Sequence, residues 1–402
     1  MDLSELLTDA WERPAIALAR LCWALRHDQP WRAECGLRSS NTARGSTLLE
    51  ALRERRRPLE LDAADGLALL WALDQRLLDD EVGQAPLTWR VADHSPALWV
   101  APRPKGWKPP LTGGVDQIER WMRHHAIGPC HHDGVDVHVQ VAPSYLTGPD
   151  TWRERDDVMV AGFEDGAVPD NSAAEPRFRS DRLTGADQRV LGLEAVVLAV
   201  GEGPLRVLVL PELSLPPALR DELLDRLLEA GAPLLTVPGS YHCNDGERVH
   251  NMAMLVDLRG VTLLVQRKIQ PLLVERVQEE IVPGTAIELL VGPWGTLVVA
   301  ICRDFCELHQ GAWEALAPDV VLVPSMGNPA TMRAHERRAS DLHRAAASLV
   351  CVANQPTTDW GEADRVHGAV YQAGRTWETD PQATEAVRIL RVAAAGGRLQ
   401  QD

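Results

Sequence analysis

The chain has 402 residues, 45% hydrophobic and 24% charged, which is enough to bury a large core as one domain with an appendage or as two domains. A formal charge of -16 argues against the broad basic surface that nucleic acid or an anionic membrane requires, and no apolar run reaches membrane-spanning length. Seven cysteines at irregular positions make no disulfide framework, and the N-terminus carries acids where a secretory signal carries bases, so a reduced, cytoplasmic protein is expected.

Nine of the thirteen tryptophans lie at or before Trp152, among leucine-rich stretches at helical spacing such as Ile16 to Leu25 and Gly66 to Leu78. Residues 1–150 are therefore expected to form a mainly helical region, broken by extended structure around Ala97-Leu-Trp-Val100. The run Arg53-Glu54-Arg55-Arg56-Arg57 reads as a solvated helix face. A second domain, 156–402, is expected to start just before Val158-Met-Val-Ala-Gly162, although Val135 to Val141 is an alternative first strand. Glu164 to Asp181, polar and containing Pro and Asn, reads as a loop.

Beyond it, helix and strand patterns alternate. A helix from Ala186 to Val200 leads to the apolar run Leu205 to Leu210, and Pro216-Pro217 opens a helix that Gly231 stops. Pro233 to Pro238 reads as a strand. Asn251 to Val256 and Val261 to Arg267 flank Asp257-Leu-Arg-Gly260, which is hairpin spacing. Leu297 to Ile301, Val320 to Pro324 and Leu349 to Asn354 are buried-strand candidates, with helices around Gly311 to Leu316 and Arg333 to Ala347 between them. This alternation predicts a layered α/β fold with its chemistry at strand ends.

Three strand ends carry reactive side chains: Glu212, Lys268 and Cys302. Lys268 is the sole lysine after Lys108 in a chain that otherwise uses arginine, and a compact ammonium is not equivalent to a guanidinium in a tight site. A nucleophilic cysteine needs a nearby base or cation, and a glutamate after an apolar strand can serve as that base if desolvation raises its basicity. An ammonium can stabilise the oxyanion formed when a thiolate attacks a carbonyl or nitrile carbon. Singly, each residue has an ordinary reading as cap, surface charge or core thiol; their order and spacing set them apart.

The stretches Val207-Leu-Val-Leu-Pro-Glu212-Leu, Asn251 to Lys268, Val-Val-Ala-Ile-Cys302, Arg344 to Asn354 and His367 to Gly374 resemble the nitrilase superfamily of carbon–nitrogen hydrolases. The resemblance covers roughly Asp156 to Val392 and leaves residues 1 to about 150 outside. It implies a nitrilase-like α-β-β-α sandwich, with Glu212 as base, Lys268 and the Arg303 backbone N–H as oxyanion donors, and Cys302 as nucleophile. It also implies a second glutamate that positions substrate, assigned to Glu275 with Glu279 and Glu280 as alternatives. The implied substrate is a small amide or related molecule, and the chemistry calls for no metal and no organic cofactor. The family's usual continuation after the cysteine is altered here, since Arg303-Asp-Phe-Cys-Glu307 is shortened and lacks the proline.

Two other classes compete. Cys302, Cys306 and His309, with His242-Cys243, have ligand-like spacing, and His124, His125, Cys130, His131 and His132 form a dense cluster; neither set matches a paired Cys-x-x-Cys zinc signature. An inactive hydrolase fold that binds a protein partner, or a second copy, through residues 1–150 is the other alternative.

Overall fold

The computed structural model describes residues 14–27, 42–53, 63–79, 87–90, 97–103, 122, 124–132, 134–146, 157–164, 168–171, 177–178, 180–184, 186–231, 233–246, 248–274, 277–308, 312–356, 366–372, 375–379 and 387–393. The chain divides into two compact units, the first made of Met1–His132, Val139–Pro149 and Val291–Gly295, the second of the remainder. Of the strand Val135–Val141, offered by the sequence as an alternative start, residues 135–138 fall in the second unit and 139–141 in the first. Among the described residues no helix is long and apolar enough to cross a membrane.

Among its described residues the first unit combines helices with a sheet, and the expected extended run Ala97-Leu-Trp-Val100 lies in that sheet. Helices Pro14–His27, Thr42–Arg53 and Ala63–Asp79 accompany an antiparallel sheet of Leu87–Arg90, Ala97–Pro102 and His125–Pro129. Their leucines, among them Leu18, Leu21, Leu69, Leu70 and Leu73, share one core with Leu98, Val100 and Ile127. Buried Asp74 accepts hydrogen bonds from His125 Nδ1 (2.9 Å) and from the His124 N–H (3.0 Å), tying a helix to a strand. This accounts for part of the histidine cluster without a metal, and no group able to hold a metal ion occurs among the described residues.

The second unit has four layers. In the first sheet Leu205–Val209 runs parallel to both Asp157–Phe163 and Leu235–Val237. Arg248–Asp257, Ser240–Asp245 and Thr262–Arg267 extend one side, and Val387–Ala393 pairs antiparallel with Asp157–Phe163 on the other. In the second sheet Gly295–Val299, Val320–Ser325 and Leu349–Asn354 are parallel, flanked by Gly368–Gln372 and Arg375–Glu378 at one edge. Continuous apolar runs make these central strands, since both faces are covered. Helices Ala186–Gly201 and Pro217–Ala230 share a core with the outer face of the first sheet, and helix Pro329–Ala346 packs on the second.

The sheets meet closely at Gly162, where a Cβ would lie 2.5 Å from the Asn354 carbonyl oxygen and 2.7 Å from His367. Local signals set the helix ends. Pro217 opens its helix and Gly231 closes it at φ 95°, while Asn328 caps Pro329–Ala346 by accepting the Thr331 N–H at 2.8 Å. The stretch expected to be a loop, Glu164 to Asp181, instead contributes Val168–Asn171 to an antiparallel ribbon with Ser180–Thr184. Such a ribbon rests on backbone pairing, which a polar composition does not reveal.

Candidate active site

The fold carries Glu212, Lys268 and Cys302 from three strand ends into one buried cluster. The strand Leu205–Val209 delivers Glu212, 2% exposed, into a turn that begins with Leu213 at φ 51°. That turn is locked: the Leu213 N–H donates to the Ser240 carbonyl (3.0 Å), Ser214 Oγ to the Pro211 carbonyl (2.8 Å), and Arg189 Nη1 to the Ser214 carbonyl (2.8 Å). Glu212 is surrounded by donors. Its Oε1 accepts from Lys268 Nζ (2.7 Å) and Asn251 Nδ2 (2.9 Å), and its Oε2 from the Met326 N–H (3.2 Å).

Lys268 follows the hairpin strand Thr262–Arg267 and is 1% exposed. Its ammonium bridges Glu212 Oε1 and Glu279 Oε2, both at 2.7 Å. Burial works against the charge, but the two carboxylates overcome it and hold the lysine protonated. Asp304 fixes the backbone beyond it by accepting the N–H groups of Ile269 (3.0 Å) and Gln270 (2.6 Å). Burial pushes the Asp304 carboxyl up to about 7, against the pull of those two hydrogen bonds.

Cys302 ends the second sheet's central run. The Cys302 N–H donates to the Pro324 carbonyl (2.8 Å), and its backbone sits at φ 47°, ψ -103°, a conformation that L-residues seldom adopt and that is frequent at functional sites. Burial, then the Glu212 charge, raises the thiol well above its usual range, with Lys268 and a Ser325 hydrogen bond pulling the other way. The resting group is a thiol. Arg303 follows at the first position of the short helix Arg303–Glu307, where the helix supplies no acceptor for its N–H. The Arg303 side chain reaches the Pro271 carbonyl (2.9 Å) and Glu307.

Glu275 lies outside the described residues. The carboxylate held on Lys268 is Glu279, one of the alternatives left open by the sequence. Its Oε1 accepts from Asn251 Nδ2 (2.8 Å) and lies 3.0 Å from His242 Nε2, and its Oε2 accepts from Lys268 Nζ and the Leu272 N–H (2.8 Å). Burial opposes its ionisation, but Lys268 and His242 hold it well below the usual carboxylate range. The role of Asn251 escaped sequence reasoning, and so did that of His242, which the sequence offered only as a metal ligand. They are directly opposed on neighbouring antiparallel strands, and two buried polar residues at paired positions were the available signal. Asn354 is a further support: it accepts the Gly327 N–H at 2.8 Å and donates to the Gly327 carbonyl at 3.2 Å, steadying the segment whose Met326 N–H faces Glu212. The proposed zinc set finds other partners: His242 faces Glu279, Cys306 faces His335, and His309 lies outside the described residues.

No family model matches the sequence, and no curated protein sequence does. Solved structures of nitrilase-superfamily amidases do match in part. An amidase from Nesterenkonia sp. aligns at 19% identity and a TM-score of 0.42, over 60% of this chain and 91% of its own. A variant of that amidase, carrying the acetamide moiety of fluoroacetamide on its active-site cysteine, aligns at 18% identity with the same score, over 60% of this chain and 92% of its own. Saccharomyces cerevisiae Nit3, a member of branch 10 of the nitrilase superfamily, aligns at 17% identity and a TM-score of 0.41, over 59% of this chain and 90% of its own. These alignments take in about 60% of this chain, and the remainder lies outside them.

Proposed function

We propose that the protein is a carbon–nitrogen hydrolase of the nitrilase type, acting on a small amide or related substrate through a thioester on Cys302. The observation that carries this reading is a single buried ammonium, Lys268, shared between two carboxylates beside a cysteine in a strained turn. A buried charge cluster of this kind is costly to build, and a functional site is the ordinary reason to retain one.

In this reading Glu212 takes the Cys302 proton and the thiolate attacks the carbonyl carbon. Lys268 Nζ and the Arg303 N–H hold the oxyanion. Collapse of the tetrahedral species breaks the C–N bond as the protonated Glu212 passes its proton to the departing amine, leaving the acyl group on sulfur. Water then attacks the thioester with Glu212 again as base, releasing a carboxylic acid and restoring the thiol. Glu279, supported by Asn251 and His242, keeps Lys268 aimed. Loss of one oxyanion donor typically costs a hundredfold or more in rate.

The test is intact-protein mass spectrometry after brief exposure to iodoacetamide at neutral pH, followed by a screen of amides and nitriles. Rapid single labelling that disappears in Cys302→Ala and slows in Glu212→Gln is the expected result. Undiminished amide turnover by purified Cys302→Ala would overturn the assignment.

A further inference from the structure

The cycle above leaves three polar groups behind Cys302 unused. Ser325, 0% exposed at the end of strand Val320–Ser325, donates from Oγ to Cys302 Sγ at 3.4 Å. The same hydroxyl lies 3.1 Å from His335 Nε2, and His335 Nδ1 lies 3.0 Å from Cys306 Sγ. His335 is 0% exposed and stacks on Phe305, with ring centroids 5.7 Å apart, so its ring plane is fixed by packing. We propose that Ser325 and His335 are positioning residues for the nucleophile: His335 donates from Nε2 to Ser325 Oγ, which turns the serine hydroxyl proton onto Cys302 Sγ.

The argument is a count of protons. A serine hydroxyl has one proton, and it can point at Cys302 or at His335, not both. Burial pushes His335 down to about 3, so the imidazole is neutral and carries a single N–H. Two arrangements remain. In one, His335 donates from Nδ1 to the Cys306 sulfur and Nε2 accepts the serine proton, leaving Cys302 without a donor. In the other, the Cys306 S–H donates to Nδ1, Nε2–H donates to Ser325, and Ser325 donates to Cys302.

The second arrangement places each donor on the better acceptor. Sulfur of a thiol is a weak acceptor, imidazole nitrogen and hydroxyl oxygen are strong ones, and a Cys302 thiolate is a charged one. Cys306 is able to donate, because burial pushes its thiol up to about 12. The chain thus supplies a hydrogen bond that strengthens as the thiolate forms.

Other charges face these groups and are constant in the comparison that tests the idea. Cys302 feels Glu212 and Lys268. Cys306 feels Glu307 and Arg303 from its own helix, Arg337 and Arg338 from helix Pro329–Ala346, and Tyr371 from strand Gly368–Gln372. The proposal rests on the reading of Cys302 as nucleophile.

The experiment is the pH dependence of iodoacetamide alkylation at Cys302, mapped by peptide mass spectrometry in the full-length protein. Ser325→Ala is expected to raise the midpoint by about one pH unit, a roughly tenfold slower reaction below it, as befits one hydrogen bond to a charged group. His335→Asn, whose amide reproduces the Nδ1 position, is expected to raise it similarly, and the double variant no further. His335→Gln, whose amide reproduces the Nε2 donor, is expected to restore the wild-type midpoint. A wild-type midpoint in both Ser325→Ala and His335→Asn overturns the relay, even where their melting temperatures fall. A wild-type Cys302 that reacts no faster than the other thiols overturns the nucleophile reading itself, and the relay with it.

Discussion

Replacing Glu279 by glutamine separates the glutamate held on Lys268 from the one assigned by sequence. Glu279 faces four hydrogen-bonding groups: Lys268 Nζ at 2.7 Å, the Leu272 N–H and Asn251 Nδ2 at 2.8 Å, and His242 Nε2 at 3.0 Å. Two lie at each oxygen, so whichever way a glutamine amide turns, its NH2 meets a donor pair. A hydrogen bond to a charged group is worth about 1.5–3 kcal/mol, and a buried donor left unpaired costs about 1–3 kcal/mol. Lys268 keeps Glu212, which limits the loss, so Glu279→Gln should cost about 3–5 kcal/mol, the range for a broken buried ion pair. At about 2–4 °C per kcal/mol for a unit of this size, the melting temperature falls by roughly 10 °C. The sign with pH follows from the depressed ionisation of Glu279. Its stabilisation is complete above the unfolded value, near 4.5, and is lost as pH falls towards the folded value, so variant and wild type converge in acid. Differential scanning calorimetry from pH 2 to 8 measures this, with Glu275→Gln alongside. A Glu279→Gln protein melting within 2 °C of wild type at pH 7, with Glu275→Gln strongly destabilised, would refute the reasoning.

Asp304→Asn tests the raised carboxyl beside Lys268. A folded value of about 7 against 3.8 unfolded means that the stability carried by Asp304 is complete below 3.8 and lost as pH rises through about 7, so the variant should flatten the decline in stability across that window in urea titrations. Ala347 closes helix Pro329–Ala346 at φ 50°, a conformation glycine adopts without strain, so Ala347→Gly should raise stability by about 0.5–1 kcal/mol; an unchanged or lower urea midpoint would show the turn to be unstrained. Gly162→Ala should destabilise the protein by at least about 1–3 kcal/mol, seen as a lower urea midpoint, because the new methyl meets the backbone of Asn354 and His367, which cannot turn aside as a side chain can. Full stability in that variant would mean that the sheets separate more readily than their packing implies.

The residues that were legible in the sequence are those whose environment is written in their neighbours. Val207-Leu-Val-Leu210 and Val320-Val-Leu-Val323 could only be covered strands, and Pro217, Gly231 and the turn at Gly260 mark ends that stand where the sequence put them. Glu212, Lys268 and Cys302 stood out because each is a reactive residue just beyond an apolar strand. The supporting side chains did not. His242 and Asn251 belong to strands whose inward positions become visible only once their register is known, and Ser325 with His335 meet across a strand and a helix ten residues apart. Glu275 was preferred over Glu279 on distance along the chain alone. The path between Lys268 and the two-residue pairing of Leu273–Val274 with Val277–Gln278 decides which carboxylate returns to the ammonium, and no propensity encodes that path.

Why one lysine should need two carboxylates follows from the proposed cycle. When Glu212 takes the Cys302 proton it becomes neutral and the negative charge moves to sulfur, so without Glu279 the buried ammonium would lose the carboxylate hydrogen-bonded to it. That state would oppose the proton transfer the cycle depends on. Glu279 is the carboxylate that remains ionised, because Lys268 and His242 hold its proton affinity low while Glu212 changes charge. Asn251 Nδ2, bonded to both glutamates, keeps them at a fixed separation through the change. The consequence is a second effect of Glu279→Gln, distinct from lost stability: protonation of Glu212 now strips Lys268 of its last carboxylate. In protein shown to be folded, acylation should therefore slow by a hundredfold or more, while substrate affinity changes little. Single-turnover kinetics at a temperature well below the variant's melting point measures this, and an acylation rate within threefold of wild type would assign Glu279 to stability alone.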